Sequence, residues 1–235
     1  MAKHESAEGR RIVIAIDGPA GSGKSTLAAL LAKRYGYINI ETGAMYRALA
    51  LKAMLENVPL NNGDALATLA RKSRIELLAR PEGNRVLLDG DDVTERIRRE
   101  DITDAASKVS IHPPVRDWMV ERQRELGVNG GVVMEGRDIG TKVFPDAEVK
   151  LFLDAAPEVR GSRRFLQQPA ASAPTPESVL AELRARDERD RTRANSPLLA
   201  AGDAVLIDST HLTLDQVVHR ASEIIDTRMA ELQNR

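Results

Sequence analysis

Two periods of hydrophobic and polar positions alternate along the chain. Ile12-Val13-Ile14-Ala15-Ile16 is an unbroken apolar, β-branched run, the pattern of a parallel strand covered on both faces. Residues 132–134 and 149–153 repeat it, and residues 37–40 and 204–207 give shorter versions. Between these runs the period lengthens to that of helices. Residues 26–34 put Leu27, Leu30 and Leu31 on one stripe. Residues 44–56 turn Met45, Leu49, Ala53 and Met54 inward, with Thr42 placed to cap them. Further helices are predicted over 61–73, 101–110, 113–126, from Pro157 onward, over 177–193 and over 214–232. Five strands alternating with helices predict an α/β chain of three layers, a five-stranded parallel sheet with helices on both faces. One stretch breaks the rhythm. Residues 75–78 and 85–88 read as short strands around the turn-rich residues 79–84, with a second turn at Asp89-Gly90-Asp91. This is an antiparallel insertion rather than a core layer.

The junction of the first strand and first helix carries the strongest motif. Gly18-Pro19-Ala20-Gly21-Ser22-Gly23-Lys24-Ser25 fits the phosphate-cradling P-loop, G-x-x-x-x-G-K-[ST], in the strand–turn–helix context that the motif requires. The glycines permit close backbone approach, and N–H groups of the turn and of the helix start, through Thr26, point at an anion. Lys24 is expected to reach the outer phosphates of a bound nucleotide, and the Ser25 hydroxyl to ligate the Mg²⁺ it carries.

Charge adds little direction. There are 34 Lys and Arg against 35 Asp and Glu, so nothing in the balance points to nucleic acid or a membrane surface. The absence of cysteine excludes a disulfide scaffold, a thiolate metal site and a Cys nucleophile. His4, His112, His211 and His219 show no ligand spacing. No apolar run approaches a bilayer span and no hydrophobic signal core opens the chain, so a cytoplasmic protein is expected, with residues 1–10 as a disordered tail.

The arginines carry the rest. In open α/β sheets the carboxyl ends of strands line the ligand crevice, which marks Arg137 and Asp138, just after the third buried run, as site candidates unless they merely pair with each other. Arg47 and Tyr46 are expected in the first turn of their helix, where a cation meets the positive end of the dipole and an anion would explain it. A surface arginine would look the same. Arg186, Asp190 and Arg193 share a helical face in a run that could equally be a salt-bridged solvent helix. Before it, residues 168–176 are too rich in proline and alanine for regular structure. Basic helix, loose loop and basic helix describe a lid over phosphates. A GTPase would carry D-x-x-G and N-K-x-D, and neither occurs. A nucleic-acid ATPase would need a basic balance. Transfer between phosphates needs no general base, because the attacking oxygen is already anionic, and arginines with Mg²⁺ suffice. A small-molecule kinase fits these residues best.

Several segments together make the chain resemble the bacterial cytidylate kinases, which are nucleoside monophosphate kinases. They are residues 16–25, Glu41-Thr-Gly-Ala-Met-Tyr-Arg47, Glu135-Gly-Arg-Asp-Ile-Gly-Thr141, Val143-Phe-Pro-Asp-Ala147, Arg186-Asp-Glu-Arg-Asp-Arg-Thr-Arg193 and Asn195-Ser-Pro-Leu198. The resemblance implies a P-loop NTPase fold with an inserted NMP-binding subdomain and a mobile lid. It implies one kinase domain over 11–235: core 11–40, 128–156 and 194–235, NMP-binding insertion 41–127, lid 157–193. It implies phosphoryl transfer from ATP to CMP or dCMP in a monomer. Lys24, Arg137 and Arg193 would be catalytic. Arg47, Arg137 and Arg193 would hold phosphate, and Arg186 and Asp190 the ribose. Ser107, Arg116 and Asp138 would read the cytosine edge, with Thr42 and Tyr46 nearby. The alternatives are a UMP-preferring relative or a P-loop protein that binds nucleotide without transferring phosphate. Two departures stand out: the Pro/Ala-rich stretch leaves Arg160, Arg163 and Arg164 without assigned roles, and Ala20 lacks the hydroxyl common at that position.

Overall fold

The computed structural model describes residues 11–78, 84–167 and 175–234. The expected tail, most of the 79–84 turn and most of the Pro/Ala-rich stretch lie outside them. Five strands, β1 (Val13–Asp17), β2 (Ile38–Glu41), β6 (Val132–Gly136), β7 (Val149–Asp154) and β8 (Val205–Asp208), form one sheet in the order β2-β6-β1-β7-β8. Every pairing in it is parallel. β1 lies at the centre and all five of its residues are buried. Alternation divides its contacts: Ile12, Ile14 and Ile16 pack with Leu27 and Leu31 of α1 (Lys24–Tyr35) and with Val217, Ala221 and Ile225 of α8 (Leu214–Gln233). Val13 and Ala15 pack on the other face with Val120, Ile139 and Val143. The expected three layers are present. Leu30, placed on the α1 stripe from sequence, is exposed, because Leu27 and Leu31 already cover the sheet.

α2 (Thr42–Leu55) begins two residues earlier than its periodicity suggested. Glu41 takes the cap position, Thr42 becomes the first helical residue, and Tyr46 and Arg47 fall in the second turn rather than the first. α2 is buried on two sides. Met45, Leu49 and Ala53 meet α3 (Gly63–Lys72), α4 (Glu100–Val109) and α5 (Pro113–Gly127), while Ala48 and Leu51 meet a small sheet and Ile102. Met54 points out rather than in. The small sheet is antiparallel, ordered β3 (Ile75–Leu78), β4 (Arg85–Leu88), β5 (Asp91–Asp92).

After β6 the chain enters a five-residue π-turn, Ile139–Val143, where Val143 N–H reaches back to Asp138 O and Phe144 N–H to Ile139 O. No apolar period announces so short an element. α6 (Pro157–Leu166) and α7 (Pro176–Thr192) lie between β7 and β8. Pro176, counted from sequence with the irregular stretch, instead opens α7 under a Thr175 side-chain cap. Arg193 lies just past the end of α7.

Candidate active site

The loop from β1 to α1 passes against β7. Gly18 adopts φ +149°, and a Cβ there would overlap the carbonyl oxygen of Leu153. Gly23 holds the left-handed cap of α1 at φ +99°. Lys24 is buried, and its ammonium donates to Pro19 O (2.7 Å) and Ser22 Oγ (3.4 Å), folding back on its own loop. Burial pushes it down to about 7, and the nearby Arg137 adds to the depression. Ser25 and Thr26 are exposed. Ser25 Oγ donates to Glu135 Oε1 at 2.8 Å. The serine proton is thereby committed to the carboxylate and its oxygen lone pairs remain open. Behind the loop, Arg160 of α6 is buried, donating to Ala20 O (3.0 Å) and pairing with Asp187 of α7 (2.6 Å). Arg163 donates to Ser22 O at 3.3 Å and to Ser209.

β6 delivers the next group. Arg137 and Asp138 do not pair with each other. Arg137 Nε donates to Asp190 of α7 at 2.9 Å, and Asp138 accepts from Arg116 of α5 at 2.5 Å with both side chains almost fully buried. Arg193 lies between these pairs, 3.6 Å from Asp190 and 4.0 Å from Asp138. The Arg116 guanidinium also stands 5.7 Å over the ring of Tyr46, whose phenol burial pushes up to about 12. Thr42 is buried, its hydroxyl donated to Glu135 O (2.8 Å), which ties α2 to β6. Arg47 pairs closely with Glu41. Ser107 is buried on α4 and engaged by Arg189 of α7 (3.3 Å).

Cations dominate the space between Lys24 and Asp138. Arg186 is pushed down to about 10 by burial and then by Arg137, with Arg47 and Arg164 acting in the same direction against Asp190. Burial alone would raise Asp190, but Arg137, Arg186 and Arg193 hold its carboxyl below the usual range. Among the described residues, four guanidinium nitrogens are buried without a hydrogen-bond partner: Nε of Arg47, Arg116 and Arg186, and Nη2 of Arg193. Buried charge-bearing donors are rarely left open. Arginines with open donors of this kind suit an anion.

Sequence reasoning missed Asp17, Glu135, Asp187 and Arg189 as parts of this site. Asp17 and Glu135 carried the same signal as Arg137, a charge ending a buried strand. Asp187 and Arg189 were hidden in a charged run where only tertiary contacts separate inner from outer positions. Asp17 is 4% exposed and accepts from the N–H groups of Ile139 (2.8 Å) and Gly140 (2.7 Å). Among the described residues, no group of three or more His, Cys, Asp or Glu could hold a metal ion, and no helix is long and apolar enough to cross a membrane.

A parallel sheet with a P-loop after its central strand and a cluster of arginines beyond it defines a P-loop nucleotide-binding α/β protein. Comparison with known proteins narrows this: the chain belongs to the cytidylate kinase family, whose model matches residues 14–227. A cytidylate kinase of Geobacillus kaustophilus is 50% identical over 221 residues, covering 94% of this chain and 99% of the relative. One from Geobacillus sp. strain WCH70 is 48% identical over 93% of this chain and 98% of its own length. One from Citrifermentans bemidjiense is 47% identical, with 94% and 95% covered.

Proposed function

We propose that this protein transfers the γ-phosphoryl group of ATP to CMP or dCMP, giving ADP and CDP or dCDP, as a cytoplasmic monomer in pyrimidine nucleotide metabolism. The observation that carries the reading is the cluster of open arginine donors between Lys24 and the Arg116–Asp138 pair. A P-loop accounts for one phosphorylated ligand, and this second anion site accounts for another, facing a buried polar pair suited to a base.

In this reading residues 18–26 cradle ATP, and residues 41–127 and 157–193 act as the monophosphate-binding insertion and the lid. Arg47, Arg137 and Arg193 hold the acceptor phosphate, and Arg186 and Asp190 its ribose. An anionic oxygen of the acceptor phosphate forms the new bond to the γ-phosphorus while the bond to the β–γ bridging oxygen breaks. ADP leaves with that electron pair, and no proton need move. Lys24, Arg137 and Arg193 offset the charge that accumulates on the phosphoryl oxygens. The donor set suits Mg²⁺, a hard cation that keeps most of its waters, with the open lone pairs of Ser25 as its protein contact. When bound, Mg²⁺ supplies charge neutralisation on the ATP phosphates. Asp138 accepts from the cytosine 4-amino group and Arg116 donates to N3 and O2, with Ser107, Thr42 and Tyr46 shaping the pocket. Uracil reverses donor and acceptor at positions 4 and 3, and a well-built polar reader disfavours such a mismatch by roughly 10⁴-fold.

The test is ADP release coupled to a spectrophotometric readout with CMP, dCMP, UMP and AMP as acceptors. CMP and dCMP should be used far better than UMP or AMP, and Lys24→Ala should abolish turnover. ADP release with CMP no faster than with ATP alone would end the kinase reading.

A further inference from the structure

Asp138 occupies the cap position of the π-turn, yet its side chain makes no capping bond. An aspartate there ordinarily accepts from the N–H of the second or third residue of the turn, which is otherwise unsatisfied. Here one of those donors, Gly140 N–H, is taken by Asp17 from the end of β1, whose other carboxylate oxygen accepts from Ile139 N–H. The strand register makes this possible: Asp17 lies opposite Gly136, so its side chain is offered to the turn that follows β6. Asp138 is left to pair with Arg116 and to face Arg193.

We infer that Asp17 is a positioning residue for acceptor recognition: it caps the 139–143 turn in place of Asp138 and so keeps the Asp138 carboxylate turned toward the acceptor base. Asp17 joins the strand that carries the P-loop to the turn that carries Asp138. The inference rests on the CMP-phosphorylating reading and adds a residue to it. Without Asp17, Gly140 N–H is left open to the Asp138 carboxylate, which already holds the cap position. It can satisfy the turn or Arg116, but a single carboxylate cannot hold both as they stand now.

Asp17→Asn tests this, since the amide keeps the shape but turns a donor toward one of the two N–H groups. The expected result is a rise in the KM for CMP of about tenfold or more and a fall in the CMP-over-UMP preference of similar size, with the KM for ATP within about twofold. The effect should vanish against an Asp138→Ala background, because Asp17 acts through Asp138. Gly140→Ala approaches the same point without removing a polar group. A methyl there would stand 3.4 Å from Asp17 Oδ2 and 3.2 Å from the Lys150 stem. Lys150 is buried and pinned by Asp203 (2.8 Å) and Pro145 O, so the turn must yield instead. A smaller CMP-selective loss is expected, and this variant carries the test if Asp17→Asn does not fold. Equal losses for ATP and CMP, additive losses in the Asp138→Ala background, or unchanged CMP kinetics in folded Asp17→Asn or Gly140→Ala would overturn the inference while leaving the kinase reading in place. A wild-type protein that ignores CMP would overturn both.

Discussion

Asp17 shows how a residue at the end of a buried strand is costly and useful at once. Burial raises its carboxyl to about 6 from an ordinary 3.8, outweighing the N–H groups of Gly140 and Ile139; Asp138 nearby adds to the rise and Lys24 opposes it. The folded state therefore holds its proton more tightly than the unfolded chain does. This group's contribution to stability is fullest below the unfolded value and is lost as pH rises through about 6. Between about pH 4.5 and about pH 7 the wild type should lose about 2 kcal/mol relative to Asp17→Asn, measured as the difference in urea unfolding free energy. A difference independent of pH would mean that Asp17 titrates normally. The P-loop residues, Arg137 and Asp138 were legible from sequence because a motif or a strand end marks them. Asp17 was marked equally well, but its role depends on which turn lies across the sheet, and register is not written in a single strand.

At the level of elements, α6, α7 and the P-loop are joined by one buried ion pair. Arg160 Nη1 lies 2.6 Å from Asp187 and 3.0 Å from Ala20 O, and its Nε donates to Ala155 O at 2.8 Å. Removing one partner strands the other as a buried charge, whereas removing both costs much less. Asp187→Ala should destabilise by an amount toward the lower end of about 3–5 kcal/mol, since two carbonyls still serve Arg160. Asp187→Leu combined with Arg160→Met should recover much of that loss in chemical denaturation. If the double variant is no more stable than Asp187→Ala, the pair is not the joint. The strut also explains which elements sequence could read. Strands β1, β6 and β7 and helices α1, α2 and α8 announce themselves by period because each buries a stripe. The π-turn, the position of Arg193 beyond α7 and the early start of α2 are set by contacts between elements, which no local period records. For the same reason Leu30 and Met54 fit an apolar stripe and still face solvent.

The molecule as a whole gathers its cations at the carboxyl edge of the sheet although its net charge is only −1. Burial first, and then Arg137 and Arg186, depress Lys24; burial first, and then Arg137, Arg47 and Arg164, depress Arg186, so like charges add to a desolvation cost at the centre of the fold. That crowding costs stability, and in the proposed reading a bound anion would relieve it, a trade of stability for function. Two consequences follow from the same physics. CMP at about a hundredfold its Kd should stabilise the fold by about 2.7 kcal/mol, a rise in Tm of roughly 5–10 °C for a chain of this size. UMP at the same concentration should do much less, because in the proposed reading its base would leave Arg116 and Asp138 mispaired. Replacing one member of the cluster separates binding from folding: Arg186→Met should leave the Tm without CMP unchanged or higher, since it removes a half-buried cation whose buried Nε has no hydrogen-bond partner, while cutting the CMP-induced rise sharply. Differential scanning fluorimetry on the wild type and Arg186→Met, with CMP, UMP and buffer alone, measures both effects at once. A variant that loses stability without ligand yet keeps its full response to CMP would show that Arg186 supports the fold and that the anion site lies elsewhere.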